Sequence, residues 1–138
     1  MKKEYRLELR ELDTLVKDVL GTFTNGVIIL RGDLAAGKTT LVKAFAKRLG
    51  CDEAVTSPTF SLQQCYGEDI YHYDIYNHGL EHFIALGMLE ELDREGLHFI
   101  EWGNDELIEL LESVGIDVMV IDINKISDKA REYIVCTH

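Results

Sequence analysis

The amino-acid sequence predicts a single α/β domain over residues 1–138, in which a central mixed sheet carries helices on both faces. Short apolar runs of strand length alternate with segments whose apolar residues recur at the spacing of a helix face. Two of the apolar runs end in an acid, Asp74 and Glu101, and a third leads into a glycine-rich loop. At 138 residues, the chain is long enough to bury a core of its own.

The first two elements are predicted before residue 27. Residues 4–9 alternate between polar and apolar side chains, which predicts a half-buried strand. Its apolar positions are Tyr5, Leu7 and Leu9. The next segment predicts a helix that ends at Gly21. The apolar face of this helix consists of Leu12, Leu15, Val16, Val19 and Leu20.

The segment Gly32–Thr40 matches the phosphate-binding loop, in which a glycine and four further residues precede Gly-Lys-Ser or Gly-Lys-Thr. The apolar run Val27–Leu30 predicts a buried strand before the loop. The residues after the loop predict a helix that Gly50 can end. Its apolar positions are Leu41, Val42, Phe45, Ala46 and Leu49. A strand, a glycine-rich loop and a helix in this order bind the phosphates of nucleotides.

Each part of the loop has a predicted role. Backbone N–H groups from Asp33 to Thr39 can surround a polyphosphate, next to the positive end of the helix. Lys38 would reach the β- and γ-phosphates, and the Thr39 hydroxyl would bind Mg²⁺. Gly32 and Gly37 allow backbone conformations that a side chain would hinder. The predicted fold is therefore that of P-loop NTPases. The predicted phosphate-binding residues are Gly32, Asp33, Leu34, Ala35, Ala36, Gly37, Lys38, Thr39 and Thr40.

The segment that follows the phosphate-loop helix contains Pro58, the only proline of the chain, among three hydroxyl residues. The hydroxyl residues are Thr56, Ser57 and Thr59. Proline fixes its own φ and favours an extended residue before it, so a loop is predicted here. Two interpretations stay open: an ordinary loop, or a switch-like loop that senses the γ-phosphate.

The second half of the chain predicts strands and helices in alternation. Residues 60–66 and 70–76 predict an antiparallel pair of strands with a turn at 67–69. Residues 80–92 predict one amphipathic helix, which Gly87 weakens by about 1 kcal/mol relative to alanine. The remaining predicted elements are a strand at 97–102, a helix at 105–113, and strands at 116–123 and 132–136.

Asp74 and Glu101 are the candidate acids for chemistry at the phosphate loop. Such a site needs an acid at a strand end, either to hold the Mg²⁺ shell or to orient the attacking water. Aspartate suits a metal–water shell, and the longer glutamate suits polarising a water molecule. Each acid could instead be a solvated carboxylate. His72, two residues before Asp74, could face the nucleotide or be a hydrogen-bonded sheet histidine.

Three other patterns predict no chemistry. Residues 124–128 resemble the guanine-reading Asn-Lys-x-Asp motif, but the acid comes one residue late. Residues 93–96 resemble Asp-x-x-Gly, but they follow an acidic helix rather than an apolar strand. Both are predicted as turns, so nothing favours guanine over adenine. His78 and His82 stand four residues apart without a third metal ligand, and we interpret them as a surface pair.

The charge of the chain argues against direct binding of nucleic acid. Fourteen Lys and Arg residues against 25 Asp and Glu residues give a net charge of −11, whereas phosphate contacts need a positive surface. No apolar run is long enough to span a membrane, and the N-terminus lacks the apolar segment of a signal peptide. Cys51, Cys65 and Cys136 are scattered, which indicates free thiols in a reducing compartment. We therefore expect a cytoplasmic protein.

Four motifs, in this order and spacing, resemble the bacterial TsaE (YjeE) family, small ATPases of tRNA threonylcarbamoyladenosine synthesis. The motifs are Gly32–Thr40, Thr56–Phe60, His72–Tyr76 and Ile100–Trp102. The phosphate loop is shared by many families, whereas the other three motifs together are far more specific. The resemblance spans about residues 10–135. It implies ATP and Mg²⁺ as ligands.

The resemblance also implies roles and partners. Thr59 would belong to a switch-like loop and Asp74 would support the metal ion. Glu101 would assist hydrolysis and contribute to the metal site, with Trp102 beside it at the nucleotide. The implied partners are a threonylcarbamoyl transferase and its companion subunit, which the ATPase resets between turnovers. tRNA would be contacted only indirectly, through these partners.

The chain departs from the family pattern at Ala35, where a glycine is usual, and at Asn77, where an arginine is usual. Two alternative functions are a small-molecule kinase and a nucleotide-dependent adaptor that does not hydrolyse ATP. Kinases of this kind need arginines around the transferred phosphoryl group. The chain has six arginines, and Arg94 is the only one between Arg48 and Arg131. The sequence therefore favours hydrolysis over phosphoryl transfer to a metabolite.

Overall fold

The computed structural model describes residues 2–33, 37–51, 63–67, 69–75, 79–85 and 87–137. Strands and helices alternate along most of the chain, as the sequence predicts. The elements are β1 Lys2–Glu8, a 3-10 turn Leu9–Glu11, α1 Leu12–Leu20, β2 Gly26–Arg31, α2 Lys38–Arg48, β3 Gln63–Tyr66, β4 Ile70–Asp74, α3 Gly79–Ala85, α4 Met88–Leu92, β5 Leu97–Glu101, α5 Asp105–Ser113, β6 Val118–Lys125 and β7 Ala130–Thr137.

Within these residues the strands form one seven-stranded mixed sheet, in the order β1-β7-β6-β2-β5-β4-β3. The centre is parallel: β2 pairs with β5 and β6, and β4 pairs with β5. The margins are antiparallel, with β1 and β6 on either side of β7 and with β3 against β4. The predicted mixed sheet is confirmed. Because β4 and β5 are parallel, Asp74 and Glu101 are direct neighbours at their carboxyl ends.

Helices cover both faces of the sheet, as predicted. Side chains of β2 alternate, so that Ile28 and Leu30 join one apolar cluster while Val27 and Ile29 join the other. The first cluster contains residues of α1 and α2, and the second contains residues of α3, α4 and α5. Full burial of such a side chain stabilises the fold by about 1.5–3 kcal/mol. We call the two sides the α2 face and the α5 face.

The prediction of one helix over residues 80–92 is wrong. The chain forms two short helices, α3 and α4, with Gly87 between them in the left-handed conformation at φ +76°. The Gly87 N–H donates to the carbonyl of Ile84, which closes the end of α3. Glycine adopts this conformation without the cost that a side chain imposes. Gly87 therefore interrupts the helix rather than merely weakening it.

The predicted position of Leu9 in the first strand is also wrong. Tyr5 and Leu7 pack against the core as expected, but Leu9 begins a 3-10 turn and is 68% exposed. A capping box explains the change, because the Glu8 N–H donates to the Glu11 side chain at 2.9 Å. The strand therefore ends at Glu8.

The other described elements largely agree with the predictions, but Leu49, predicted on the apolar face of the phosphate-loop helix, follows the helix end at Arg48 and is 48% exposed. The hairpin of β3 and β4 is antiparallel, and residues 93–96 lie in a turn as predicted. The turn predicted at 124–128 is only partly correct, because Asn124 and Lys125 are the last residues of β6. The predicted loop around Pro58, the start of the strand at 60–66, and Tyr76, Asn77 and His78 lie outside the described residues. None of the helices in the described part of the chain combines the length and the apolar character needed to cross a bilayer.

Candidate functional site

The phosphate loop connects the carboxyl end of β2 to the start of α2, as the motif requires. Gly37 precedes the helix with φ +104°, a conformation that suits glycine. The N–H groups in the first turn of α2 have no partner within the helix, so they are available to an anion. Gly32 and Asp33 lie at the other end of the loop. Leu34, Ala35 and Ala36 lie outside the described residues, as does Thr59.

Lys38 is turned across the opening of the loop. Its side chain is buried, and Nζ donates to the carbonyl oxygens of Gly32 at 2.6 Å and Asp33 at 3.0 Å. Burial lowers the pKa of the Lys38 ammonium group, and the negative charges of Glu101, Asp74 and Asp33 oppose this shift. The three carboxylates therefore offset only part of the cost of burying the lysine charge.

Trp102 forms one wall beside Lys38. The ammonium nitrogen of Lys38 lies 3.9 Å from the centre of the indole ring, which is a cation–π contact. Trp102 has φ +70°, and among the described residues it is the one non-glycine residue with a positive φ. Such strain costs about 1–3 kcal/mol and is concentrated at functional sites. The residue with this strained backbone therefore lies directly beside the lysine of the phosphate loop.

The two predicted acids meet beside the first turn of α2. Glu101 is only 4% exposed, and its Oε2 accepts a hydrogen bond from the Thr39 hydroxyl at 3.1 Å. Asp74 is half-buried and lies next to Glu101 in the register of the sheet. The structure therefore brings Lys38, Thr39, Asp74 and Glu101 together, although only the phosphate loop and the strand ends were visible in the sequence.

His72 is a hydrogen-bonded sheet histidine, and its partner is the candidate acid. Its ring is fully buried, with Nε2 2.6 Å from Glu101 Oε2 and Nδ1 3.1 Å from the hydroxyl oxygen of Tyr66. The sequence left the role of His72 open. Its contact with Glu101 depends on the pairing of β4 with β5, which residue spacing alone does not specify.

The oxygen atoms of Thr39 and Glu101 fit a magnesium site. Their separation of 3.1 Å is close to the distance of about 3 Å between adjacent ligands of an octahedral Mg²⁺, for bonds of about 2.1 Å. Among the described residues, no group of three or more His, Cys, Asp and Glu side chains could hold a metal ion. In the usual Mg²⁺ site of a nucleotide-binding protein, one or two carboxylates are completed by substrate phosphates and water.

Arg31 is a site residue that the sequence analysis missed. It ends β2, donates from Nη2 to Asp105 at 2.7 Å, and donates from Nε to the carbonyl of Gly103 at 3.2 Å. These bonds attach the phosphate-loop strand to the segment that follows Trp102. The arginine lies more than 70 positions from its partners, so no local motif indicates this contact.

A cavity of about 190 Å³ beside the phosphate loop was also missed. It shares Thr40 and Leu9 with a larger groove of about 670 Å³ along α1 and α2. The cavity combines the start of α2 with two distant segments, the turn after β1 and the C-terminal hairpin, so the sequence gives no signal for it. It is lined by Leu9, Gly37, Thr40, Asp128, Lys129, Arg131 and Tyr133.

Comparison with known proteins agrees with this geometry. The model of the family described as threonylcarbamoyl adenosine biosynthesis protein TsaE matches residues 6–133. The chain belongs to the TsaE family. The resemblance inferred from the four motifs is therefore confirmed, and the family match covers both the phosphate loop and the two acids.

Individual TsaE relatives are similar over most of the chain. The protein of Treponema pallidum named tRNA threonylcarbamoyladenosine biosynthesis protein TsaE is 39% identical over 112 residues, which cover 79% of this chain and 80% of that relative. A Bacillus subtilis protein of the same name is 38% identical over 109 residues, which cover 77% of this chain and 66% of the relative. The chain thus spans 66% to 80% of the length of these two relatives.

A solved TsaE-like fold supports the topology. The crystal structure of YdiB from Bacillus subtilis superposes with a TM-score of 0.72 at 28% sequence identity. The superposition covers 98% of this chain and 84% of YdiB. The mixed α/β architecture is therefore shared with a solved structure across nearly the whole chain.

Proposed function

We propose that this chain is a Mg²⁺-dependent ATP-binding and ATP-hydrolysing component of the tRNA threonylcarbamoyladenosine modification machinery. The observation that supports this most directly is the contact between Thr39 and Glu101, 3.1 Å apart at the start of the phosphate-loop helix. A phosphate loop, a metal-binding hydroxyl and a buried acid in contact are the parts that nucleotide hydrolysis needs.

Lys38 would bind the terminal phosphates. In the structure its ammonium group donates to the carbonyls of Gly32 and Asp33, so it must exchange these bonds for phosphate oxygens. A bond from the ammonium group to a phosphate oxygen joins two opposite charges, whereas a carbonyl oxygen is neutral, which favours the exchange. The free N–H groups at the start of α2 would bind the same phosphates. Catalysis would then come mainly from positioning and charge stabilisation.

Thr39, Asp74 and Glu101 would hold the metal ion. When bound, Mg²⁺ neutralises negative charge on the β- and γ-phosphate oxygens. Asp74 lies one strand farther from the loop than Glu101, so it suits a place in the outer part of the metal site. Glu101 contacts Thr39 directly and is buried, so it suits the orientation of the water that attacks the γ-phosphate.

The nucleoside of ATP would occupy the cavity beside Gly37 and Thr40. This cavity opens from the phosphate loop on the side of β7, and Leu9 and Tyr133 provide apolar surface there. The family resemblance implies ATP as the nucleotide, and the guanine-reading motif at residues 124–128 is imperfect.

The pathway and the partners are proposed from the family. The relatives from Treponema pallidum and Bacillus subtilis are named for tRNA threonylcarbamoyladenosine biosynthesis. We propose that the chain acts on a threonylcarbamoyl transferase and its companion subunit and resets this pair between turnovers. The net charge of −11 supports contact with tRNA only through these proteins. Three free cysteines support a reducing, cytoplasmic setting.

The test is phosphate release from Mg-ATP by the protein alone and then with the transferase pair. Lys38→Ala is expected to lower the rate by at least about 100-fold, because the terminal phosphates lose their cation. Lys17→Ala removes an exposed lysine of α1 and serves as the matched control with an unchanged rate. Stimulation by the pair supports the pathway. A Lys38→Ala variant with wild-type turnover would remove the phosphate loop from the mechanism.

The same experiment distinguishes the two alternatives. Transfer of labelled γ-phosphate to a metabolite instead of water would identify a kinase. ATP-dependent binding of the transferase pair with no Lys38-dependent phosphate release, either alone or with the pair, would identify an adaptor.

A further inference from the structure

A chain of side-chain contacts runs from the edge strand β3 to the acid at the end of β5. Tyr66 on β3 contacts His72 Nδ1 at 3.1 Å, and His72 Nε2 contacts Glu101 Oε2 at 2.6 Å. The Tyr66 hydroxyl also donates to Gln64 Oε1 at 2.7 Å. Both Tyr66 and His72 are buried on the α2 face, so these contacts are shielded from water.

The contact with Glu101 places a hydrogen atom on Nε2 of His72. An ionised carboxylate only accepts hydrogen bonds, so the imidazole nitrogen 2.6 Å away is the donor. This holds for a protonated ring, in which Nδ1 donates to Tyr66 while the Tyr66 hydroxyl donates to Gln64. It also holds for a neutral ring, in which the single hydroxyl hydrogen of Tyr66 goes to Nδ1 instead of Gln64. Both nitrogens are engaged in either form, so the ring is held at two points.

We propose that His72 is a positioning residue for Glu101 and that Tyr66 holds His72 in place. This inference rests on the proposed function. Glu101 Oε2 accepts from Thr39 as well as from His72. The Thr39 hydroxyl could bind a metal ion through a lone pair and still donate its hydrogen to Glu101, so the His72 bond would fix the carboxylate from a second direction. Residues that orient a metal-site acid in this way typically contribute 10- to 100-fold to affinity or activity.

His98 provides an internal control on the opposite face of the same sheet. It is also fully buried and also contacts a tyrosine hydroxyl, since Tyr73 lies 2.8 Å from its Nδ1. Its Nε2 donates to the backbone carbonyl of Arg94 at 2.8 Å rather than to an acid. Substitutions of His98 therefore report the cost of losing a buried histidine without removing a hydrogen bond to Glu101.

Two substitutions of His72 separate positioning from packing. The side-chain nitrogen of glutamine lies near the position of Nε2, so His72→Gln keeps a donor toward Glu101. The side-chain nitrogen of asparagine lies near Nδ1, so His72→Asn loses that donor. Tyr66→Phe removes only the hydroxyl that holds the ring, and it remains informative if His72→Asn does not fold. His98→Gln and His98→Asn are the matched controls.

The measurements are kcat for ATP hydrolysis, ATP affinity and the melting temperature. Trp102 is the only tryptophan and lies against Lys38, so its fluorescence reports nucleotide binding. We expect His72→Asn to lower kcat by about 10- to 100-fold with ATP affinity within about threefold of wild type. His72→Gln is expected to restore most of this loss, and Tyr66→Phe to lower kcat several-fold. The His98 variants are expected to lower the melting temperature and leave kcat per folded molecule unchanged.

Three results would overturn the inference: an unchanged kcat in His72→Asn, equal losses in His72→Asn and His72→Gln, or an unchanged kcat in Tyr66→Phe. Failure of the proposed function looks different, because wild-type protein would then show no Lys38-dependent hydrolysis at all.

A second readout needs no nucleotide. The His72 Nε2 hydrogen should give a strongly downfield proton resonance in the ligand-free protein, because it is buried and bonded to a carboxylate at 2.6 Å. We expect Glu101→Ala to shift this resonance upfield or remove it, and His98→Gln to leave it in place. A spectrum that does not respond to Glu101→Ala would contradict the hydrogen position on which the inference depends.

Discussion

The two faces of the sheet each bury a histidine against a tyrosine, and the two pairs differ in what the second ring nitrogen meets. On the α2 face, His72 contacts Tyr66 and then the carboxylate of Glu101. On the α5 face, His98 contacts Tyr73 and then a backbone carbonyl. One histidine therefore completes the packing of its face, whereas the other is connected to the candidate site. Residue type and burial alone do not distinguish these roles.

The faces also differ in charge. On the α5 face, burial lowers the pKa of His98 and raises the pKa of Tyr73, so both groups are neutral at pH 7. Near the phosphate loop, Lys38 and Glu101 are both buried, and the nearby carboxylates oppose the lowering of the Lys38 pKa by burial. Burying a charged group costs free energy unless the group is paired. Buried ionisable groups are therefore concentrated at functional sites, which supports a functional site on the α2 face.

The largest expected effect is on stability, from loss of a fully buried phenylalanine on either face. Phe83→Ala on the α5 face should cost about 3–5 kcal/mol of unfolding free energy and leave turnover per folded molecule unchanged. Phe99→Ala should cost a similar amount and also lower turnover, since Phe99 pairs with His72 and packs on Phe45 of α2. Urea unfolding measures the loss of stability in each variant, and phosphate release measures its turnover. Equal effects on turnover would remove the distinction between the faces.

The second effect is a pH dependence of stability that belongs to His98. Its pKa is lowered from the ordinary value near 6.5, mainly by burial. Below pH 6.5 the unfolded chain takes up a proton that folded His98 does not, so stability falls as the pH falls. This proton uptake should lower the unfolding free energy by up to about 1.4 kcal/mol between pH 7.5 and pH 5.5. Urea unfolding at both pH values should show a smaller decrease in His98→Gln than in wild type. An equal decrease would show that His98 is protonated in the folded protein.

A smaller effect concerns the strained backbone at Trp102. With φ +70°, a residue that has a side chain costs about 1–2 kcal/mol more here than glycine. We expect Trp102→Gly to be about 1 kcal/mol more stable than Trp102→Ala, the reverse of the usual order, by thermal unfolding. Ile116 serves as the control, because it packs against the same apolar cluster as Trp102 but is not among the residues with a positive φ. At this position we expect the usual order, in which Ile116→Ala is more stable than Ile116→Gly. The usual order at both positions would show that Trp102 is not strained.

The fold was largely predictable because its signals are local. The strand, loop and helix around Gly37 and the strands that end in Asp74 and Glu101 follow from residue patterns over short segments. The break at Gly87 was misjudged, because a glycine within a helical pattern can either weaken a helix or interrupt it. Leu9 was misplaced because the capping box of Glu8 and Glu11 competes with the strand pattern.

The sequence indicated which residues belong to the candidate site, but not how they are arranged in space. Its geometry depends on the order of strands in the sheet, which brings His72 to Glu101 and Arg31 to Asp105 across long stretches of sequence. The cavity beside Gly37 also needs the C-terminal hairpin. None of these contacts has a local sequence pattern, since each is set by tertiary packing.

The most direct test of the account compares wild type with Glu101→Gln in a single turnover of Mg-ATP. Trp102 fluorescence would follow binding, and phosphate release would follow hydrolysis. Because the amide keeps the shape of the side chain but cannot polarise water as a carboxylate does, we expect ATP affinity to stay within a few-fold of wild type. Phosphate release is expected to slow by about 100-fold or more. Phosphate release at the wild-type rate, or loss of ATP binding, would contradict the role assigned to Glu101.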